Sequence, residues 1–420
     1  MMEMKKSFLF ATILACLFAP GVFAGEKASG FAGCGAGAVE TKKEPSRSSG
    51  AKRVDISGDD SRKVIVARGN EKEYHAHPTT VLMPDGKTIF CVWNLGHGGR
   101  ATPVAKSADG GLTWTRMDSA MPPNYANFLN CPSIYRIVDP QGVERLWIFA
   151  ARTIPKHHRL KPVEIPNRFE GYMPRVVSED GGKTWRELLP LGPFDNRGEN
   201  PFRNVMTFSS MVRLKDGGTL GLFHRGAKRK DRDLQVMQSV TKDGGFTWSE
   251  PRVICDGADI GGLFPCEPFV FRSPDGNELC CIMRENKLRK NSLVMFSRDE
   301  GETWTRPVSL PVELSGDRHQ GIYLPDGRLV IVFRSRMETS PAVPLRFVAW
   351  VGTYDDIKSG RPGQYDIFLC DSAKDGFYPG IHLLDDGTIV ATTYATLKGD
   401  KGCSIVSVRF KMSEIDALAE

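Results

Sequence analysis

Ser107–Trp114 reads "SADGGLTW", and near copies follow as "SEDGGKTW" from Ser178, "TKDGGFTW" from Thr241 and "SRDEGETW" from Ser297. The copies start 71, 63 and 56 residues apart, which is the spacing of whole supersecondary units repeated radially or linearly. In each copy the Asp carboxylate and the hydroxyls can accept backbone N–H bonds across a glycine-bearing turn, while the Trp fills the space beside the hairpin. The motif therefore stabilises a fold.

A second series runs out of phase with the first: "MPDG" at Met83, "DPQG" at Asp139, "LKDG" at Leu214, "SPDG" at Ser273, "LPDG" at Leu324 and "LDDG" at Leu384. Each is flanked by β-rich strings such as "GIYLPDGRLVIVF", which read as antiparallel strands joined by a tight turn. Every unit is thus a hairpin, and four of the six add a second hairpin at the Asp-box. Six four-stranded units close into an all-β, six-bladed β-propeller. Helical periodicity is confined to the tail "SEIDALAE" from Ser413.

The chain has 420 residues, 40% hydrophobic and 25% charged, which excludes a disordered protein. Its start, "MMEMKKSFLFATILACLFAPGVFA", sets lysines before a short apolar run and ends in small residues. Residues 1–24 read as a cleaved secretory signal, implying a secreted or periplasmic protein; the alternative is lipoprotein cleavage before Cys16. Residues 25–52 read as a flexible leader and 53–420 as the propeller. Nine cysteines follow the signal; without CxxC pairs or zinc spacing, they read as buried thiols with one or two bridges. The net charge of +6 is spread along the chain, which argues against a nucleic-acid partner, and no apolar run argues for a membrane span. No cofactor is expected.

Hairpin geometry locates the chemistry, because residues equidistant from each turn arrive together at the opposite end of the blade. Counting back from the turns gives His77, Ser133, Phe208, Glu267, Arg318 and Tyr378; counting forward gives Trp93, Arg152, Arg225, Arg284, Arg334 and Tyr394. One end thus gathers five arginines around a carboxylate and two phenols. Guanidinium groups bind carboxylate or sulfate through paired hydrogen bonds, so the expected partner is a glycan with an anionic terminal sugar.

Four Asp-boxes on a six-unit β chain resemble the sialidase (neuraminidase) superfamily over roughly residues 64–410. In that family a Glu opens a strand that ends, after its turn, in an Arg that binds the substrate carboxylate. "CEPFVFRSPDGNELCCIMR" is similar, with Glu267 and Arg284 in those places. "YPGIHLLDDGTIVATTY" puts Tyr378 where the family has its nucleophile, with Glu267 as its base. A neutral phenol avoids the repulsion a carboxylate would meet beside an anionic anomeric centre. The resemblance implies a third carboxylate-binding arginine, Arg346 or Arg334, with spacing in favour of Arg346.

The first blade departs from the family. Where sialidases carry Phe-Arg-Ile-Pro this chain has "EYHAHPTTV", with His75 and His77. Where they place an Asp acid/base it has "WNLGHGGRATP", with His97 and Arg100 and no carboxylate. Three readings stay open: His97 replaces the Asp and Arg100 or another ring arginine the missing guanidinium; a hydrolase or lyase acts on a uronic or sulfated glycan with histidines moving the protons; or the ring binds carbohydrate without turnover. The HxH pair lacks a third ligand at metal spacing, so no metal is expected. Asp195, Glu199, Asp256 and Asp259 lie in loops that could supply an acid.

Overall fold

The computed structural model describes residues 50–101, 103–153, 172–192, 205–226, 234–335 and 345–420, with only the backbone of Arg152 and Thr153. The signal and most of the leader, Cys16, Cys34, Asp195, Glu199 and the Arg152 side chain lie outside the described residues. Six antiparallel sheets form the blades of a propeller, as the repeat predicts. Their first strands, His75–Leu82, Ser133–Val138, Ser210–Arg213, Pro265–Arg272, Gly316–Tyr323 and Gly380–Leu383, lie innermost and pack on one another around the ring. The second strands, among them Ile89–Leu95, Glu144–Phe149 and Leu329–Ser335, are buried almost throughout. Trp93, Trp147 and Trp350 are among the largest fully buried side chains.

The ring closes with strands from both ends of the chain. Lys63–Ala67 pairs antiparallel with Ser404–Phe410 and supplies the outer strand of the sixth blade. Lys52–Asp55 pairs parallel with Tyr365–Asp371 and gives the fifth blade a fifth strand. That blade has no Asp-box; its third and fourth strands are joined by the short helix Tyr354–Ser359, capped by Thr353 and Asp356. The helical tail forms as Met412–Ala419.

The four Asp-boxes share one hydrogen-bond cage. In the first, Ser107 Oγ accepts the Gly111 N–H (2.8 Å), Asp109 Oδ1 accepts those of Leu112 and Thr113 (3.0 and 2.9 Å), and the Thr113 hydroxyl donates to Asp109 Oδ2 (2.6 Å). Gly182, Gly245 and Gly301 are held alike by Ser178, Thr241 and Ser297. These glycines have positive φ (85°, 103° and 89°), a region costly for a residue with a Cβ. They also press on the second strand of the preceding blade. A Cβ on Gly182 would stand 2.4 Å from Phe90 Cζ, and one on Gly245 2.7 Å from Trp147 Cε2. The box is a spacer between blades as well as a turn.

The sequence expectation of one or two disulfides is not met among the described residues: the eight described cysteines are buried and no disulfide joins any two of them. All but Cys131 and Cys403 lie on strands, where successive side chains face opposite sides of a sheet. Adjacent Cys280 and Cys281, for example, enter two different hydrophobic clusters.

Gly182→Ala is therefore expected to destabilise more than its neighbour Gly181→Ala, whose added Cβ meets nothing within 4 Å. Denaturant unfolding should show about 1–2 kcal/mol for Gly181, from the positive φ alone, and about 1–3 kcal/mol more for Gly182 from overpacking. Equal losses would refute the spacer role. The box carboxylates make a second prediction. The hydroxyl bonds from Thr184 and Thr303 are the largest cause pulling Asp180 and Asp299 down to about 2. Folded values below the unfolded one of about 3.9 give stability that is present above that pH and lost as pH falls toward 2. Unfolding midpoints should drop across that window, and less steeply in Asp180→Asn.

Candidate active site

Three inner strands break register at one equivalent point, between Ala76 and Thr79, Cys266 and Phe269, and Asp317 and Gln320. The bulged residues, His77, Glu267 and Arg318, all have positive φ (52°, 50° and 56°). Proline follows two of them, and its missing N–H suits a bulge, where no ladder bond is made. His224 secures the fourth-blade bulge by accepting the Glu267 N–H at Nδ1 (3.2 Å); burial lowers its pKa to about 4, so the ring is neutral and free to accept. Three non-glycine residues in this region store about 1–2 kcal/mol each, and their side chains meet at one end of the ring.

Tyr378, from the sixth blade, donates its hydroxyl to Glu267 Oε1 of the fourth. Arg284 Nη1 lies 3.2 Å from both that carboxylate oxygen and the phenol oxygen. Burial would push the Glu267 carboxyl up, but the Arg284 charge and the phenol bond outweigh it and hold it low. Burial and the adjacent Glu267 carboxylate push the Tyr378 phenol well above its ordinary range. The resting proton is therefore on the phenol, aimed at a carboxylate able to take it.

Asp317, with no exposed surface, lies between two of the arginines. Arg284 Nε is 2.9 Å from its Oδ1 and Arg334 Nε 3.2 Å from its Oδ2. Neither N–H is directed along its contact, so these are charge contacts rather than aligned hydrogen bonds. Arg334 covers the Tyr378 ring at 4.9 Å and bonds Asp375 Oδ1 at 2.9 Å. Arg318 is buried and crosses from the fifth blade to Ser209 Oγ (2.9 Å) in front of the third and Ser133 Oγ (3.4 Å) on the second. No carboxylate pairs with it among the described residues.

A second carboxylate centre sits beside the first. Asp375 Oδ2 accepts from His97 Nδ1 (2.8 Å) and from the hydroxyls of Tyr74 and Tyr394 (both 3.1 Å). Burial alone would raise its pKa, but the His97 bond and the Arg334 charge together hold it far below the carboxylate range. His77 packs between the two centres, with ring centroids 4.6 Å from His97 and 4.8 Å from Tyr378. Burial, then the neighbouring His97, lowers its pKa to about 3, so the ring is neutral. Its Nδ1 lies 3.4 Å from Cys131 Sγ and 3.5 Å from Asn94 Nδ2. The Nε2 of His77 and the Oε2 of Glu267 are buried without a hydrogen-bond partner among the described residues, which is unusual unless a ligand supplies one.

The structure thus brings together Tyr378, Glu267, Arg284, Arg318, Arg334, His77 and His97. It takes the other candidates elsewhere. His75 accepts the indole N–H of Trp93 (2.8 Å) inside the first blade. Arg346, which the spacing favoured, lies over Phe368 at 4.4 Å and 3.5 Å from Asp371, so that Arg334 is the one at Tyr378. Arg225 bonds Gln235. Arg100 is exposed and makes backbone bridges to Leu95 and Leu129. Asp256 accepts from Gln235, and Asp259 is exposed. Sequence reasoning missed Asp317, Asp375, His224, Asn94 and Cys131. Asp317 and Asp375 stand one and three positions before Arg318 and Tyr378, but nothing in the local sequence sets them apart from solvated carboxylates.

Residues 135–397 match the model of the BNR repeat-like domain family. A curated exo-alpha-sialidase of Arthroderma benhamiae is 25% identical over 142 residues, 29% of this chain and 35% of that protein, so the match spans about a third of the relative's length. Among solved structures, a Hadza microbial sialidase superposes with a TM-score of 0.58 at 18% identity, covering 81% of this chain and 66% of that one. An alpha-L-arabinanase of Penicillium chrysogenum superposes with a TM-score of 0.57 at 14% identity, covering 84% and 98%. At such identities the superpositions establish the fold. The sialidase-like propeller expected from the Asp-boxes is the one observed.

Asp317→Asn should leave two buried guanidinium groups without their shared anion. Removing one member of a buried ion pair costs about 3–5 kcal/mol, and urea unfolding of the variant should show a loss of that order. An unchanged midpoint would remove Asp317 as the anchor of Arg284 and Arg334.

Proposed function

The chain belongs to the BNR repeat-like domain family, and from that premise we propose that it is a retaining exo-glycosidase releasing a terminal sialic acid or related acidic sugar from glycans. The observation that carries this reading is the contact of Tyr378 with Glu267 and Arg284 at one point. Tyr378 attacks the anomeric carbon as its proton passes to Glu267, while His97, oriented through Nδ1 by Asp375, gives a proton to the departing oxygen from Nε2. In the second half His97 takes a proton from water, which displaces the tyrosyl group, and Glu267 returns its proton to the phenol. Arg284 stabilises the phenol oxygen as its proton leaves. Arg318, which has hydroxyl partners and no carboxylate among the described residues, receives the substrate anion together with Arg334. The apolar start of the chain supports action outside the cytoplasm.

A second reading, a hydrolase or lyase acting on a uronic or sulfated glycan, draws on His77, which occupies the first-blade bulge where a sialidase-like chain would present its Phe-Arg-Ile-Pro segment. Release of 4-methylumbelliferone from its sialic acid glycoside separates the two. Turnover should fall more than about 1,000-fold in Tyr378→Phe and about 100- to 10,000-fold in Asp375→Asn, with circular dichroism unchanged. Folded parent protein that releases nothing from this substrate would exclude the sialic acid reading and favour the second.

A further inference from the structure

The sequence offered an HxH pair without a third metal ligand, but the fold changes which residues group together. His75 turns into the first blade, whereas His77, His97 and Asp375 present ligand atoms within 4.8 Å of one another. We propose that these three residues form a divalent-metal site of zinc type, and that the ion, when bound, takes the place of the Nδ1 proton through which Asp375 orients His97, so that His97 no longer serves the proton transfer at Nε2. The second half of this statement rests on the glycosidase reading above; the first does not.

Four observations carry it. The donor set, two imidazoles and a carboxylate, is that of a zinc centre with an open position. His77 Nε2 is buried and has no hydrogen-bond partner among the described residues, while Cys131 and Asn94 flank its Nδ1 and so leave Nε2 as the ligating nitrogen. That pattern, one ring nitrogen held and the other open, is how protein imidazoles are prepared for metal. His97 Nδ1 and Asp375 Oδ2 stand 2.8 Å apart as a hydrogen bond, so both already face one point and part by only about 0.5–0.7 Å to bind one tetrahedral ion.

Two atoms bound to one zinc lie no more than about 4.2 Å apart, so a small closure is needed. His97 can provide it: its side chain is 65% exposed and sits in a glycine turn where Gly96 and Gly98 have positive φ. The hydroxyls of Tyr74 and Tyr394 and the guanidinium of Arg334 remain as outer partners of Asp375. The Arg334 charge opposes the ion and weakens it relative to a structural zinc site. The arrangement suits reversible occupancy, in which zinc and substrate turnover exclude each other.

The test is calorimetric titration of zinc chloride into the full, chelator-treated protein, with His77→Ala, His97→Ala and Tyr378→Phe beside it. One zinc per chain is expected, weakened more than about 100-fold in either histidine variant, beyond what losing an outer partner costs, and retained in Tyr378→Phe. Anomalous scattering from zinc-soaked crystals of the unaltered protein should place the ion between His77 and Asp375, so a variant that misfolds does not decide the matter. Absence of binding, an ion seated elsewhere, or unchanged affinity in His77→Ala would overturn the site. Zinc bound there with undiminished 4-methylumbelliferone release would overturn the exclusion, whereas zinc binding by a protein that releases nothing even when zinc-free would retain the site and refute the glycosidase reading.

Discussion

The packing of each Asp-box glycine against the second strand of the preceding blade is the constraint from which the rest follows. Gly111 meets Val390 of the sixth blade, Gly182 meets Phe90 of the first, Gly245 meets Trp147 of the second and Gly301 meets Leu220 of the third. Each box thereby fixes the approach of one blade to the last, and the hydroxyl-carboxylate cage inside the box fixes the glycine. Where boxes are missing, strands from the start of the chain complete the fifth and sixth blades. Only a ring closed in this way can bring Tyr378 to Glu267 across 111 residues of sequence.

Within that ring the site is built from repetition with one local departure. The inner strands of the first, fourth and fifth blades carry the same left-handed bulge, and each uses it for a different group: an imidazole, a carboxylate and a guanidinium. Asp317 and Asp375 then anchor the arginines, so the positive charges are held in place before any substrate arrives. Such preorganisation is what stabilises developing charge without a cost of rearrangement at the moment of reaction. The altered first blade fits the same plan, since His97 is held by Asp375 as the arginines are.

Much of this was legible in the residues themselves. The fold followed from two interleaved turn series, because turn chemistry is local and glycine at positive φ leaves a mark in sequence. Counting from the turns reached Tyr378, Glu267, Arg284, Arg318 and Arg334, since strand rise is regular. In the second blade it reached Ser133, which meets Arg318, but not Cys131, which lies beside His77 two positions before that strand begins. Arg346 came instead from the family spacing to Tyr378 and lies over Phe368, while His75 and His77, which plain alternation would put on one face, are turned apart by the bulge at His77. Asp317 and Asp375 were missed for another reason. A buried carboxylate that anchors arginines has the same local sequence as a solvated one, and only their meeting in space distinguishes them.

The most direct measurement is mass spectrometry of peptides after incubation with a 2,3-difluoro derivative of sialic acid, which forms the glycosyl-enzyme but slows its hydrolysis. A mass gain on the peptide containing Tyr378, absent when Glu267 is replaced by Gln, is the predicted result. An adduct on any other residue, or turnover of the natural glycoside with no adduct at all, would contradict the account.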